Sequence, residues 1–229
     1  AAIQAVDHRI RVERLLREDR PAAALTALAD AVAAGAIDPA ARRLLEARSR
    51  LYLMQEEGER LAATLSKEEL RRSGLVFDLA RYRMQRDPEE TALDLLDPPP
   101  VVLAREAADR WQVRRRAVRR LLRQGKAAAA YRIAANHGLA EGAAFDEAEF
   151  FAGWIALRRL GEETKAYAHF DRLFHQGSDA AAMARGAFWC GEAAREMGRE
   201  DWAAQWFEVA AEQPGLFYGL MGALRRGIA

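Results

Sequence analysis

The chain has 229 residues, of which 51% are hydrophobic and 30% charged, with 35 Lys and Arg against 34 Asp and Glu. That mixture excludes a disordered chain, and no apolar run approaches the roughly 20 residues that span a bilayer. A formal net charge of +1 removes any overall pull toward nucleic acid or anionic lipid. Met and a leader with a basic start and apolar core are both missing from the beginning, so a processed product or an excised segment of a longer protein is expected.

Alanine, leucine, arginine and glutamate dominate, and these are favourable helix formers. The patterning predicts helices over 3–18, 21–34, 39–63, 67–86 and 88–96. After "DPPP" at 97–100, more are predicted over 101–124, 126–136, 145–160, 163–175, 179–197, 200–212 and 216–226. The nearest approach to a strand is "GLVFDL" at 74–79, and it runs into a helical pattern. Asp38-Pro39 and Asp87-Pro88 each combine a good N-cap with proline at the first helical position. Asp146, Glu147 and Glu149 crowd the first turn of another helix, where the macrodipole favours negative charge. They read as dipole complements rather than a catalytic cluster.

The informative feature is a repeat. "FAGWIALRRLGEETKAYAHFDRLF" (151–174) and "FWCGEAAREMGREDWAAQWFEVAA" (188–211) align when shifted by 37 residues. The shift pairs Phe151 with Phe188, Gly161 with Gly198, Ala166 with Ala203 and Phe170 with Phe207. One unit earlier, Gly125 and Ala130 take the same two small-residue places, and "ERLLREDRPAAALTALADA" (13–31) has the same shape without the glycine. Glycine supplies the left-handed residue that ends a first helix, and the alanines predict tight crossings with a second. Periods of this size belong to stacked helical hairpins. The expected fold is therefore all-α, a TPR-like α-solenoid forming one domain over 1–229. Degenerate hairpins occupy 1–97, a proline break falls at 98–100, and better-defined repeats fill 101–229.

From Arg114 onward the order of motifs resembles the end of the superhelical, U-shaped domain of soluble lytic transglycosylases, periplasmic enzymes that cleave peptidoglycan glycan strands. The carriers are Trp189-Cys190-Gly191-Glu192-Ala193, Trp206-Phe207-Glu208-Val209-Ala210-Ala211 and Gly215-Leu216-Phe217-Tyr218-Gly219-Leu220-Met221-Gly222. "DHRIRVERLLREDRPAAA" (7–24) is similar to a hairpin from the middle of that domain. The sequence departs from the pattern with Glu192 for arginine, Gly215 for threonine and Gly222 for alanine. The resemblance implies periplasmic location and a scaffold that positions peptidoglycan beside a C-terminal lysozyme-like domain. The Glu-Ser pair of that catalytic domain is missing from this chain, so no lytic activity is expected of it. A free-standing helical-repeat adaptor for other proteins is the alternative reading.

The remaining candidates have bland explanations beside sharper ones. "WQVRRRAVRRLLRQGK" (111–126) stacks Arg115, Arg119 and Arg123, with Arg116 and Arg120, on one face opposite Val118, Leu121 and Leu122. That face is either a surface for an anionic polymer or a solvated face paired with neighbouring acids, and the second is favoured. Aromatic interleaving of the kind single-strand binders use is lacking, so nucleic acid is not expected as a partner. His8, His137, His169 and His175 form no ligand pattern, and His137 suits a helix C-terminus. Neither metal nor cofactor is expected, and Cys190 reads as a buried, inert thiol. The tryptophans fall at repeat-related positions and read as core rather than as a sugar platform. Phe217 and Tyr218 are adjacent, hence about 100° apart on a helix. Phe217 is expected to face inward and Tyr218 outward, over the small surface of Gly219 and Gly222, as a docking place for a further domain.

Overall fold

The computed structural model describes residues 5–72, 74–86, 91–96 and 104–227. Among them every regular element is helical. The chain divides into two compact units, 1–101 and 102–229.

The first unit holds α1 (Ala5–Arg17), α2 (Pro21–Ala33), α3 (Pro39–Tyr52), α4 (Glu56–Ala63), α5 (Lys67–Arg72), α6 (Leu75–Arg86) and α7 (Thr91–Asp94). The long helix expected over 39–63 is two, because Met54 takes a left-handed φ of 60° and turns the chain between α3 and α4. Gly74 breaks the 67–86 stretch in the same way, with φ 73°. "GLVFDL" accordingly opens a helix. Asp38 does cap α3, accepting from the N–H groups of Ala40 (3.0 Å) and Ala41 (2.9 Å). Asp87-Pro88 and the proline run at 98–100 lie outside the described residues. Val12, Leu16, Ala24, Leu28 and Leu45 form one core cluster, and Ala47, Leu51, Ala62, Leu79 and Tyr82 form another. Between α3 and α6 the buried Asp78 accepts from Arg48 Nε at 2.8 Å.

The second unit holds α8 (Ala104–Arg123), α9 (Ala127–Ala135), α10 (Ala143–Ile155), a π-helical turn (Ala156–Leu160), α11 (Glu163–Gln176), α12 (Ala180–Glu196), α13 (Glu200–Ala211) and α14 (Phe217–Arg225). Each helix packs chiefly on its neighbours in sequence, and α14 also rests on α12.

The repeat is visible in the turns. Gly125, Gly161 and Gly198 have φ of 74°, 65° and 71°, and in the first unit Asp19 takes the same place with φ 55°. Aspartate tolerates that region better than most side chains, so the glycine can be dispensed with there. The residue after each turn residue is the N-cap of the next helix, with closely similar dihedrals: Arg20 (−117°, 58°), Lys126 (−85°, 58°), Glu162 (−109°, 70°) and Arg199 (−99°, 67°). Each N-cap carbonyl receives the N–H of an alanine four residues on: Ala24, Ala130, Ala166 and Ala203. All four alanines are buried, as expected of tight crossings.

One detail of the sequence alignment is corrected. Eight positions separate Gly153 from Gly161, but seven separate Gly191 from Gly198. The π turn takes up the extra residue: Glu162 N–H reaches back six residues to the Ala156 carbonyl (2.9 Å), whereas Arg199 reaches back five to Ala194 (2.9 Å). On the α10 side of that turn the true spacing is therefore 38, and Phe150, not Phe151, is the counterpart of Phe188. Phe150 faces Phe170 at 6.4 Å between ring centroids, as Phe188 faces Phe207 at 5.6 Å. Phe151 instead packs toward Trp111.

Candidate functional site

The arginines of α8 do not share one fate. Arg115 donates to both oxygens of Glu147 (3.1 and 3.2 Å), and Arg119 lies 3.7 Å from the same carboxylate. Trp111 Nε1 donates to Glu147 as well, at 2.8 Å. Arg115 and Arg119 thus tie α8 to α10. Arg116 and Arg123 are exposed, and Arg120 is half-buried. Val118 and Leu121 are buried on the opposite face. The preceding Arg114 is also buried; it donates to the Asn136 carbonyl, and burial lowers its guanidinium to about 10.

Because α10 starts at Ala143, only Asp146 of the three acids lies in its first turn, and none of the three is a simple dipole complement. Asp146 is buried and accepts from the N–H (3.1 Å) and hydroxyl of Ser178, anchoring the start of α12. Glu149 is 3% exposed and sits at the centre of a polar cluster built by α9, α10 and α11. His137 Nδ1 accepts from the Leu139 N–H (3.0 Å), which fixes the proton on Nε2, and Nε2 donates to Glu149 at 3.1 Å. Arg172 donates to both carboxylate oxygens, from Nε at 2.9 Å and Nη2 at 3.0 Å. His169 Nδ1 lies 2.6 Å from both Glu149 and Arg172 Nη2, and its Nε2 is 3.1 Å from the Tyr131 hydroxyl. Burial raises the Glu149 carboxyl, but the hydrogen bonds from His137, His169 and Arg172 outweigh it and hold the group well below the usual carboxylate range. His137 is therefore a member of this cluster, and Asn136 occupies the C-cap of α9.

Tyrosine, histidine and glutamate in a line have the connectivity of a nucleophile, a base and its orienting acid. Here burial raises the Tyr131 phenol, the opposite of activation, and both histidines are at least nine-tenths buried. The arrangement fastens three helices together.

A second buried carboxylate does the same further along. Glu192, where the resembled motif has arginine, is 2% exposed. It receives Arg158 from the π turn (2.8 Å), Arg195 from its own helix (2.9 Å) and Arg225 from α14 (2.8 Å). Sequence reasoning passed over both glutamates. Glu149 lies among Phe145, Ala148, Ala152 and Gly153, all buried and all at helical spacing, and an acid on such an apolar stripe was the available signal. Cys190 is fully buried and burial raises its thiol, in keeping with an inert role.

The adjacent aromatics of α14 point opposite to expectation. Phe217 is 67% exposed, while Tyr218 packs into the cluster of Phe188, Phe207 and Ala210, with 5.5 Å between the Phe188 and Tyr218 centroids. The glycines decide the rotation. A Cβ on Gly219 would strike the Gln213 carbonyl, and one on Gly222 would fall 2.6 Å from the Phe207 carbonyl oxygen. Gly219 and Gly222 are thus buried against α13 and not an open small-residue surface. Their face carries Tyr218 inward and leaves Phe217 out.

No family model, curated protein or solved structure matches this chain. Among the described residues no helix is long and apolar enough to cross a membrane.

Proposed function

We propose that the chain is a TPR-like α-solenoid acting as a non-catalytic scaffold, similar to the U-shaped superhelical domain of periplasmic soluble lytic transglycosylases. Its work is to hold a peptidoglycan strand beside a lysozyme-like catalytic domain. The observation that carries the solenoid reading is the single turn geometry shared by Asp19, Gly125, Gly161 and Gly198. Units that cannot bury their own faces stack into a continuous core, and such arrays work as binding surfaces. The glycan reading rests on the order of the three aromatic-glycine motifs over 189–222. It draws support from the exposed guanidinium groups of Arg116 and Arg123, which suit an anionic polymer.

Sedimentation with purified sacculi tests this reading. The chain should be retained at low salt and released as salt rises, and it should release no 1,6-anhydro-muropeptides. Arg116→Glu with Arg123→Glu should abolish retention without altering the melting point. Failure to sediment at low salt would overturn the glycan reading and leave the protein-binding adaptor.

A further inference from the structure

Helix α14 carries three large exposed apolar residues: Phe217 (67%), Leu220 (54%) and Leu224 (56%). They are spaced for one stripe along the helix, and the hairpin repeat says what that stripe is for. Gly227 has φ 72°, and its N–H bonds to the carbonyl three residues back, Leu224, at 3.1 Å. Asp19 (3.2 Å), Gly125 (3.1 Å) and Gly198 (2.9 Å) make the same bond from the same conformation. Each of those residues begins the reversal from a first helix into a second, and Gly35 (3.0 Å) makes the same bond where α2 gives way to α3. Gly227 thus has the conformation with which helices of this chain end before turning into the next.

Counting back from the turn residue identifies the covered face. Seven residues before the turn stand Val12, Val118 and Gly191, with Gly153 in the corresponding place once the π turn is allowed for. All four are buried. The partner is the hairpin's own second helix: the Phe207 ring lies over Gly191, the Phe170 ring over Gly153, and Val12 clusters with Ala24 and Leu28 of α2. In α14 the same position is Leu220. Ten residues before the turn, Phe188 is buried against Phe207, and its counterpart in α14 is the exposed Phe217. A helix that closes a repeat array presents a polar outer face, and α14 presents the reverse.

We propose that α14 is the first helix of a further hairpin. Phe217, Leu220 and Leu224 are the docking face for one amphipathic helix that continues the polypeptide from the Gly227 turn and lies antiparallel to α14, as α13 lies against α12. The inference stands on turn geometry and burial and is independent of the glycan reading. The four existing hairpins specify the occupant: a small residue at the fifth position after the turn residue, where Ala24, Ala130, Ala166 and Ala203 stand, and apolar residues one turn further on.

The test is thiol accessibility of Leu220→Cys in the natural gene product, with the buried Cys190 as internal control. Maleimide should react about tenfold or more slowly there than in the 229-residue chain carrying the same substitution, at any protein concentration. A proline six residues after Gly227 should restore fast labelling, because it breaks a covering helix. Equal reactivity in both proteins would overturn the proposal. So would protection that fades on dilution or on removal of other proteins, which would identify a second copy or a separate partner as the cover. Protection that survives the proline would replace the helix by a globular body.

Discussion

The Phe207 ring lies against the bare backbone of Gly191: a Cβ added there would fall 2.6 Å from its edge. Phe170 bears the same relation to Gly153, at 2.5 Å. Two successive hairpins thus use a glycine in the first helix as the socket for an aromatic of the second.

Gly191→Ala should therefore destabilise the protein by about 1–3 kcal/mol through overpacking. That cost should appear although alanine is the better helix former by roughly 1 kcal/mol. Gly215→Ala is the control, since nothing lies within 4 Å of its Cβ direction. Urea unfolding monitored by circular dichroism reads both. A more stable Gly191→Ala protein would mean that the helices do not approach as closely as described.

Much of this architecture was open to inspection in the residues. Turn glycines at 125, 161 and 198, with an alanine five residues after each, announce the hairpin because few residue types tolerate φ near 70°. The break at Met54 could not be seen, because methionine carries no turn signal and is an uncommon residue at a left-handed φ of 60°. The π turn hid for a different reason. A shift of 37 aligns the turns correctly, and an inserted residue changes no pattern until the glycine sockets are compared. The orientation of Phe217 and Tyr218 runs against the expectation because Gly219 and Gly222 meet backbone of the preceding segment rather than forming an open surface. Gly219 and Gly222 fix the helix face by backbone contact, a harder constraint than the hydration of one phenol.

Glu149 gives the protein a defined acid response. Its folded carboxyl is held below the ordinary carboxylate value of about 4.3. Its contribution is thus fully present above that value and is lost as pH falls through the acid range. Glu149→Gln should cost about 3 kcal/mol or more at pH 7, because His137, His169 and Arg172 lose the charge they converge on. The gap between the two proteins should shrink as pH is lowered below about 4. A gap unchanged from neutral to acid pH would show that the cluster does not depend on the ionised carboxylate.

The two aromatics of α14 should respond oppositely to truncation. Tyr218→Ala removes a ring from the Phe188 and Phe207 cluster and should cost about 2 kcal/mol, below the range for a fully buried ring because Tyr218 is half-buried. Phe217→Ala removes an exposed ring and should change stability by no more than about 0.5 kcal/mol. Thermal melts of the two variants decide the matter. Greater damage from Phe217→Ala would reverse the facing of the helix.

The central claim is that the hairpins repeat one unit in one register, with the π turn absorbing a single additional residue. Arg159 and Glu196 are equivalent exposed positions, two residues before Gly161 and Gly198. Deleting Arg159 shortens the six-residue reach from Glu162 to Ala156 to the five found in the other three turns. The deleted protein should stay within about 1 kcal/mol of the parent. Deleting Glu196 shortens a reach that is already five, rotating the chain after it by about 100° and displacing it by about 1.5 Å. That misplaces α13 and should lower the urea midpoint far more. Comparing those two midpoints is the most direct measurement. The account predicts near-parental stability for the Arg159 deletion and a large loss for the Glu196 deletion, and equal losses would contradict it.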